Sequence, residues 1–458
     1  MNITVLNGSP KGDLSVTMQY IKFIEKKFPM HTYNYINIAQ RIHAIENDKE
    51  LFDSIINDVK NSDIVFWGAP LYVCLISSQY KRFIELIHER GAADAFAGKY
   101  GAVITTSIHF FDHTAQNYLR GIVEDLNMNF AGGFSPDMYD IMKEENRTKL
   151  LQFAESVFHI AEKKQKISKS FKKLNYSMPE YKPSLPITAV DSLGKKILIL
   201  SDREYGNDNL SKMIDRIDKS FNEKAKKHNL SAINISGGCL GCCECGLDYE
   251  CAYTGKDGFI DFYNQEIKTA DIIIFAGEIK DRYLSSKWKQ MFDRAFFNTH
   301  TPTLKGKQFG FIISGPLSDV PNLREILQAY IEWQGANLVD IVTDEIPSKE
   351  IDELIDTLAL RLVQLSETGY VQPATFLGVG GMKIFRDDVW GRLKFVFQAD
   401  FKYYEENGVF DFPQDDKKSI EVNEKMMALT ANPEMRGKVK KMIKSEMVKP
   451  MKHVVETK

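Results

Sequence analysis

The stretch ITVLNGSPKGDLSVTM, Ile3 to Met18, decides the fold. A short apolar and β-branched run enters a Gly/Ser/Pro turn, and the turn enters MQYIKFIEKKF (18–28), whose apolar residues recur at helical spacing. Strand, tight turn and amphipathic helix in that order open a βαβ unit. The stretch has an echo in ILILSDREYGNDNLSKM, which begins at Ile197, an offset of 197 − 3 = 194. DIVFWGAP at Asp63 aligns with DIIIFAGE at Asp271, and GKYGAVITTS at Gly98 with GKQFGFIISG at Gly306, both at an offset of 208. The second copy has gained 208 − 194 = 14 residues between its first and middle strands. Each copy alternates strand-length apolar runs with helical patterns, which predicts a parallel sheet covered on both faces. The fold class is therefore α/β, with two tandem doubly wound domains over 1–162 and 195–368.

Between them, residues 163–194 are rich in lysine, serine and proline without a clean period, which predicts a solvated linker. After Thr368 an extension, 369–458, carries an aromatic helical pattern (GVGGMKIFRDDVWGRLKFVF, 378–397) and ends in a basic amphipathic tail, MRGKVKKMIKSEMVKPMKHVVETK. The aromatic stripe is expected to pack on a neighbouring domain and the tail to form a solvated helix.

A chain of 458 residues, 43% hydrophobic and 26% charged, buries more than one core. Lys plus Arg (59) nearly balance Asp plus Glu (62). That balance argues against nucleic acid or an anionic membrane as the main partner. No apolar run approaches a membrane span, and the start has no secretory pattern, so a cytoplasmic protein is expected. In that compartment thiols stay reduced, and clustered cysteines more often bind metal or do redox chemistry than form disulfides.

In the first copy, NGSPKGDLSVT joins the first strand to the first helix. Ser9, Ser15 and Thr17 supply hydroxyls beside the unpaired N–H groups of a helix N-terminus, a combination suited to a phosphate monoester. The loop matches neither G-x-x-x-x-G-K-[ST] nor G-x-G-x-x-G. GAPLYVCLISSQYKRFIELI places Pro70, Leu71, Tyr72 and Val73 just past the carboxyl end of a strand, where open α/β sheets bind ligands. TTSIHFFDH adds Thr106, with His109 and His113 nearby, to the same rim; the two histidines are expected to be structural or surface residues.

Together NGSPKGDLSVT, GAPLYVCLISSQYKRFIELI and GKYGAVITTS resemble the NADPH-dependent FMN reductase group of flavodoxin-like proteins, which includes the iron–sulfur flavoproteins. The resemblance spans about residues 1–160 and recurs more weakly over 195–365. It implies flavodoxin-like folds for both domains and FMN in the first. It further implies that Ser9, Lys11, Ser15, Val16 and Thr17 hold the phosphate, with Pro70, Leu71, Tyr72, Val73 and Thr106 beside the isoalloxazine. The second copy departs where it matters. Its turn has Asp202 and Glu204 in place of Gly8 and Pro10, and Glu278 in place of Pro70. Carboxylates facing a phosphate are repulsive, so the second copy is expected to have lost FMN.

The 14-residue gain lies in the interval holding CLGCCECGLDYEC (239–251), five of the six cysteines. Cys239, Cys242, Cys245 and Cys251 follow a C-x2-C-x2-C-x5-C spacing, with Cys243 left over. A compact run of four thiolates suits a [4Fe–4S] cluster, and the spacing resembles the motif of the iron–sulfur flavoproteins. Zinc and a C-x-x-C redox pair remain alternatives. Cys74 stands apart and reads as a buried small hydrophobe.

The expected function is an oxidoreductase moving electrons between NAD(P)H or ferredoxin and a small acceptor through FMN and a cluster. Alternatives are an NAD(P)H:quinone or FMN reductase without a cluster, and a non-enzymatic electron carrier or redox sensor. In the family, flavin and cluster of neighbouring subunits approach across a dimer interface, which a fused pair would reproduce within one chain. A monomer and a further homodimer both stay open.

Overall fold

The computed structural model describes residues 1–204 and 206–456. Tyr205, in the second turn, and Thr457 and Lys458, at the end of the extension, lie outside the described residues. The chain divides into two compact units, Met1–Phe401 and Lys402–Lys458.

The first unit contains both copies. Strands β1 (Asn2–Asn7), β2 (Thr32–Asn37), β3 (Ile64–Pro70), β4 (Tyr100–Thr106) and β5 (Asn129–Phe134) form one sheet in the order β2-β1-β3-β4-β5. Strands β6 (Ile197–Ser201), β7 (Lys226–Asn229), β8 (Ile272–Glu278), β9 (Gln308–Ser314) and β10 (Asn337–Thr343) form the other, ordered β10-β9-β8-β6-β7. All pairings within both sheets are parallel. Read from either copy's second strand, the order is 2-1-3-4-5, the flavodoxin-like winding. The offset of 208 carries Ile64 opposite Tyr100 onto Ile272 opposite Gln308, so the repeat preserves register.

Both middle strands are continuous apolar runs, IVFWGAP and IIIFAGE, buried except at the last residue. Such runs belong inside a sheet covered by helices on both faces. Burying each Ile, Val or Phe contributes about 2 kcal/mol.

The two copies meet through the helices Ser78–Glu89 and Ser286–Ala295, whose contacts obey the same offset. Ser78 N–H donates to Asp293 (2.8 Å), and Ser286 N–H donates to Glu85 (2.6 Å), so each helix start is capped by a carboxylate from the other helix. Lys81 pairs with Glu85 (3.1 Å) and Asp281 (2.8 Å); Lys289 pairs with Asp293 and donates to the Tyr72 carbonyl (3.0 Å). Reciprocal contacts of this kind characterise an isologous interface, here between two halves of one chain. Burial by itself raises the Glu85 carboxyl, but Lys81 and the Ser286 donors reverse this and hold it below its ordinary value.

The connector is mostly solvent-exposed, as expected of a linker, but it is anchored at a few positions. No helix or strand lies between Glu162 and Ile197, yet Tyr181 is fully buried and donates to Asp352 (2.6 Å), while Ser170 N–H donates to Glu124 (2.9 Å). It is a strap pinned to both halves. In the second unit, the helices Lys417–Thr430 and Pro433–Glu456 carry no buried residue, in keeping with the solvated helix expected of the basic tail. No helix among the described residues is long and apolar enough to cross a membrane.

Candidate functional site

The turn after β1 is braced from within. Asn7 accepts from Ser9 N–H (3.0 Å) and donates to the Gly12 carbonyl (3.0 Å), and Gly8 N–H donates to Gly68 (2.7 Å). A Cβ on Gly8 would collide with the Tyr80 ring, so only glycine lets this turn lie against the helix Ser78–Glu89. Ser15 occupies the N-cap position of the helix Val16–Lys27 without capping it, and its hydroxyl is buried with no hydrogen-bond partner. Helix starts bind anions well, and an orphaned hydroxyl there is a donor awaiting an acceptor.

Lys11, Ser15 and Val16 line a cavity of ≈ 370 Å³, together with Pro70, Leu71, Tyr72, Val73 and Thr106. The residues expected at the phosphate and at the ring thus face one space. Ser9 and Thr17 do not. Both are fully buried; Ser9 accepts from Lys11 N–H (3.2 Å), and Thr17 shares a 2.7 Å hydrogen bond with the Thr106 hydroxyl. They shape the turn and tie it to β4 rather than line the cavity. The rim after β3 is held in an unusual conformation, with Val73 (φ 28°) and Cys74 (φ 61°) both at positive φ and Leu71 N–H bonded to Thr106 (3.0 Å). Such strain persists where surrounding structure enforces it. Cys74 is fully buried, and burial pushes its thiol up, which suits an inert hydrophobe.

All five cysteines of the loop line the same cavity. None is in a disulfide, and among the described residues no three His, Cys, Asp or Glu side chains converge as ligands of a single metal ion. Burial, and after it the charges of neighbouring cysteines, push the Cys245 thiol up; burial pushes Cys239 up to about 12. Without a cation these sulfurs stay protonated; a metal core would reverse that by stabilising thiolates. The loop is stiffly mounted. Arg294 makes two bonds to Asp257 (2.8 and 3.0 Å), donates to the Gly237 carbonyl (2.9 Å) and stacks on Tyr253 at 4.0 Å. Gln79, from the first copy, donates to the Cys239 carbonyl (3.0 Å).

The remaining wall is aromatic. Phe385, in the extension, packs on Phe110 (4.1 Å between ring centroids) and His300 (4.1 Å), and Trp333 and Phe397 complete the surface. His300 is fixed by Asp400 (2.8 Å from Nδ1). The sequence reading assigned the aromatic stripe to packing and missed its place in this wall; its density of aromatic residues was the available signal. Lys289 and Asp293 were also missed, although the 208 offset from Lys81 and Glu85 marks them. His109 and His113 pair with Asp112 (2.9 Å) and Glu325 (2.8 Å) and do not line the cavity.

The corresponding turn of the second copy is filled by its own charges. Arg203 bridges Glu278 (2.7 Å) and Asp208 (2.6 Å). Asp202 is buried against the Ser285 hydroxyl, and burial raises its carboxyl.

Residues 1–136 match the model of the NADPH-dependent FMN reductase family. This FMN reductase domain contains every residue expected at the phosphate and the ring. Solved structures add similarity of lower reach. The flavoenzyme FerB, an NAD(P)H:(acceptor) oxidoreductase from Paracoccus denitrificans, is 20% identical, with 35% of this chain and 97% of that chain covered and a TM-score of 0.29. General stress protein 14 from Treponema denticola, solved in complex with FMN, is 11% identical, with 36% and 99% covered and a TM-score of 0.26. The Trp repressor binding protein from Bacillus subtilis is 17% identical, with 33% and 98% covered and a TM-score of 0.27. No curated protein matches the chain.

Proposed function

We propose that the protein is a flavin-dependent NAD(P)H oxidoreductase whose FMN occupies the cavity of the FMN reductase domain. The observation that carries this is the orphaned, buried Ser15 hydroxyl at a helix N-terminus, facing the same cavity as Lys11 and the Pro70–Val73 rim. Ser15 and Lys11 would hold the phosphate, and Tyr72, Val73 and Thr106 would border the ring. Bound FMN supplies hydride acceptance and donation; the chain supplies orientation, water exclusion and electrostatics. Lys289 fixes the Tyr72 carbonyl from across the interface, and the aromatic residues Phe110, Trp333, Phe385 and Phe397 line the same cavity.

The finer reading is that Cys239, Cys242, Cys245 and Cys251 hold a [4Fe–4S] cluster, leaving Cys243 outside the ligand set. It is supported by the shared cavity lining and by the compact four-cysteine spacing. Electrons would then enter from NAD(P)H in pairs, or from a ferredoxin singly, and leave to a small acceptor. The second reading, a reductase without a cluster, is favoured by the family match ending at residue 136, before the cysteines.

NAD(P)H oxidation by the FMN-loaded chain with a soluble quinone tests the activity. Turnover that requires FMN supports it, and FMN binding without NAD(P)H oxidation would leave only an electron carrier.

A further inference from the structure

Tyr72 stands where the two halves of the cavity meet. Its backbone is fixed twice in the rim, by Leu75 (N–H to carbonyl, 2.6 Å) and by Lys289 donating to its carbonyl (3.0 Å). Its hydroxyl points into the cysteine loop. A Cβ on Gly241 would overlap the Tyr72 oxygen, so Gly241, at φ +65°, is what lets the phenol approach. Gly241 N–H in turn lies 3.4 Å from the Cys239 sulfur. The Tyr72 hydroxyl is buried and has no hydrogen-bond partner, a destabilising state unless something accepts from it.

We propose that Tyr72 is a positioning residue joining the two halves: its hydroxyl donates a hydrogen bond to the Cys239 thiolate once the loop holds an iron–sulfur core. The proposal rests on the cluster reading above. A donor on a ligand sulfur stabilises the extra negative charge of the reduced core and raises its reduction potential. One electron is added in that couple, supplied in the test by dithionite, and the phenol keeps its proton. The residue expected beside the flavin ring would then also set the cluster's potential.

The test is Tyr72→Phe in the anaerobically purified full chain, with iron, sulfide and FMN measured beside the redox titration. The expected result is iron and sulfide content equal to the wild type's and a reduction equilibrium about tenfold less favourable, a fall of about 59 mV for a one-electron couple. The iron–sulfur stretching bands should shift in the same variant. A cluster of unchanged potential and unchanged bands in Y72F overturns the role of Tyr72 while leaving the cluster in place. Wild-type protein without iron and sulfide overturns the cluster reading and this inference with it. Metal-free Y72F gives an independent readout: losing an unpartnered hydroxyl should leave its thermal midpoint equal to or above that of the metal-free wild type. A large drop would mean that the hydroxyl already serves the protein alone.

Discussion

The turns after β1 and β6 begin from the same architecture and end in opposite chemistry. In the first, Gly8 lets the chain lie against Tyr80, and the Ser15 hydroxyl is left without a partner. In the second, Asp202 fills the position of Gly8, bonds Ser285, and leaves Arg203 to be consumed by Glu278 and Asp208. One turn leaves the Ser15 hydroxyl unpaired and the other pairs its charges among themselves. The interface helices show the reverse: Ser78, Lys81 and Glu85 reappear as Ser286, Lys289 and Asp293 with the same exchanged caps. The contacts that join the halves stayed alike while the binding turns diverged, as expected if a former two-fold interface still holds the fold together.

The largest expected effect comes from making the first turn resemble the second. Gly8→Asp would drive a Cβ into Tyr80 and set a carboxylate against the phosphate. FMN affinity should fall on the order of a thousandfold, measured by quenching of flavin fluorescence. Tight FMN binding by this variant would break the comparison. Next is the shared interface. Glu85→Gln strips Lys81 of a buried partner and weakens the cap on Ser286, and removing one member of a buried pair costs about 3 kcal/mol or more. The denaturant midpoint should drop accordingly, and Asp293→Asn should do the same from the other side. An unchanged midpoint in both would mean that the halves are joined elsewhere.

A smaller effect is expected for Ser15→Ala. The hydroxyl has no protein partner to lose, so stability of the FMN-free protein should hold, while FMN should bind several-fold more weakly, about 1 kcal/mol. Equal affinity would remove Ser15 from the phosphate site. Smallest is the pH response of the second turn. Burial raises the Asp202 carboxyl above its ordinary value of 3.8. Folding therefore favours the protonated form, a stabilisation complete below 3.8 and lost as pH rises through the folded value. Asp202→Asn should flatten that decline in a pH series of thermal midpoints, and an unaltered slope would show that the carboxyl does not titrate there.

Much of the fold was legible because the repeat is written in continuous apolar runs: ITVL, DIVFWGAP and GKYGAVITTS each reappear at fixed offsets, and the sheets follow them. That Pro70 to Val73 and Thr106 line one cavity was legible because strand ends in this winding face a crevice. The direction of a side chain was less legible. Ser9, Ser15 and Thr17 are equivalent as sequence, and only the turn's own bonding shows that Ser9 and Thr17 are satisfied internally while Ser15 is not. Contacts that join distant segments were hidden for the same reason. Nothing local in Phe385 announces Phe110 and Trp333 as neighbours, and a buried lysine such as Lys289 reads as a surface charge until Asp293 and the Tyr72 carbonyl are seen around it.

The division of labour between the halves is tested most directly by one composition measurement on protein purified without oxygen: iron, acid-labile sulfide and FMN per chain. The account predicts one FMN with about four irons and four sulfides. Two FMN per chain would contradict the reading of the Asp202 turn, and one FMN with zinc or no metal would contradict the cluster.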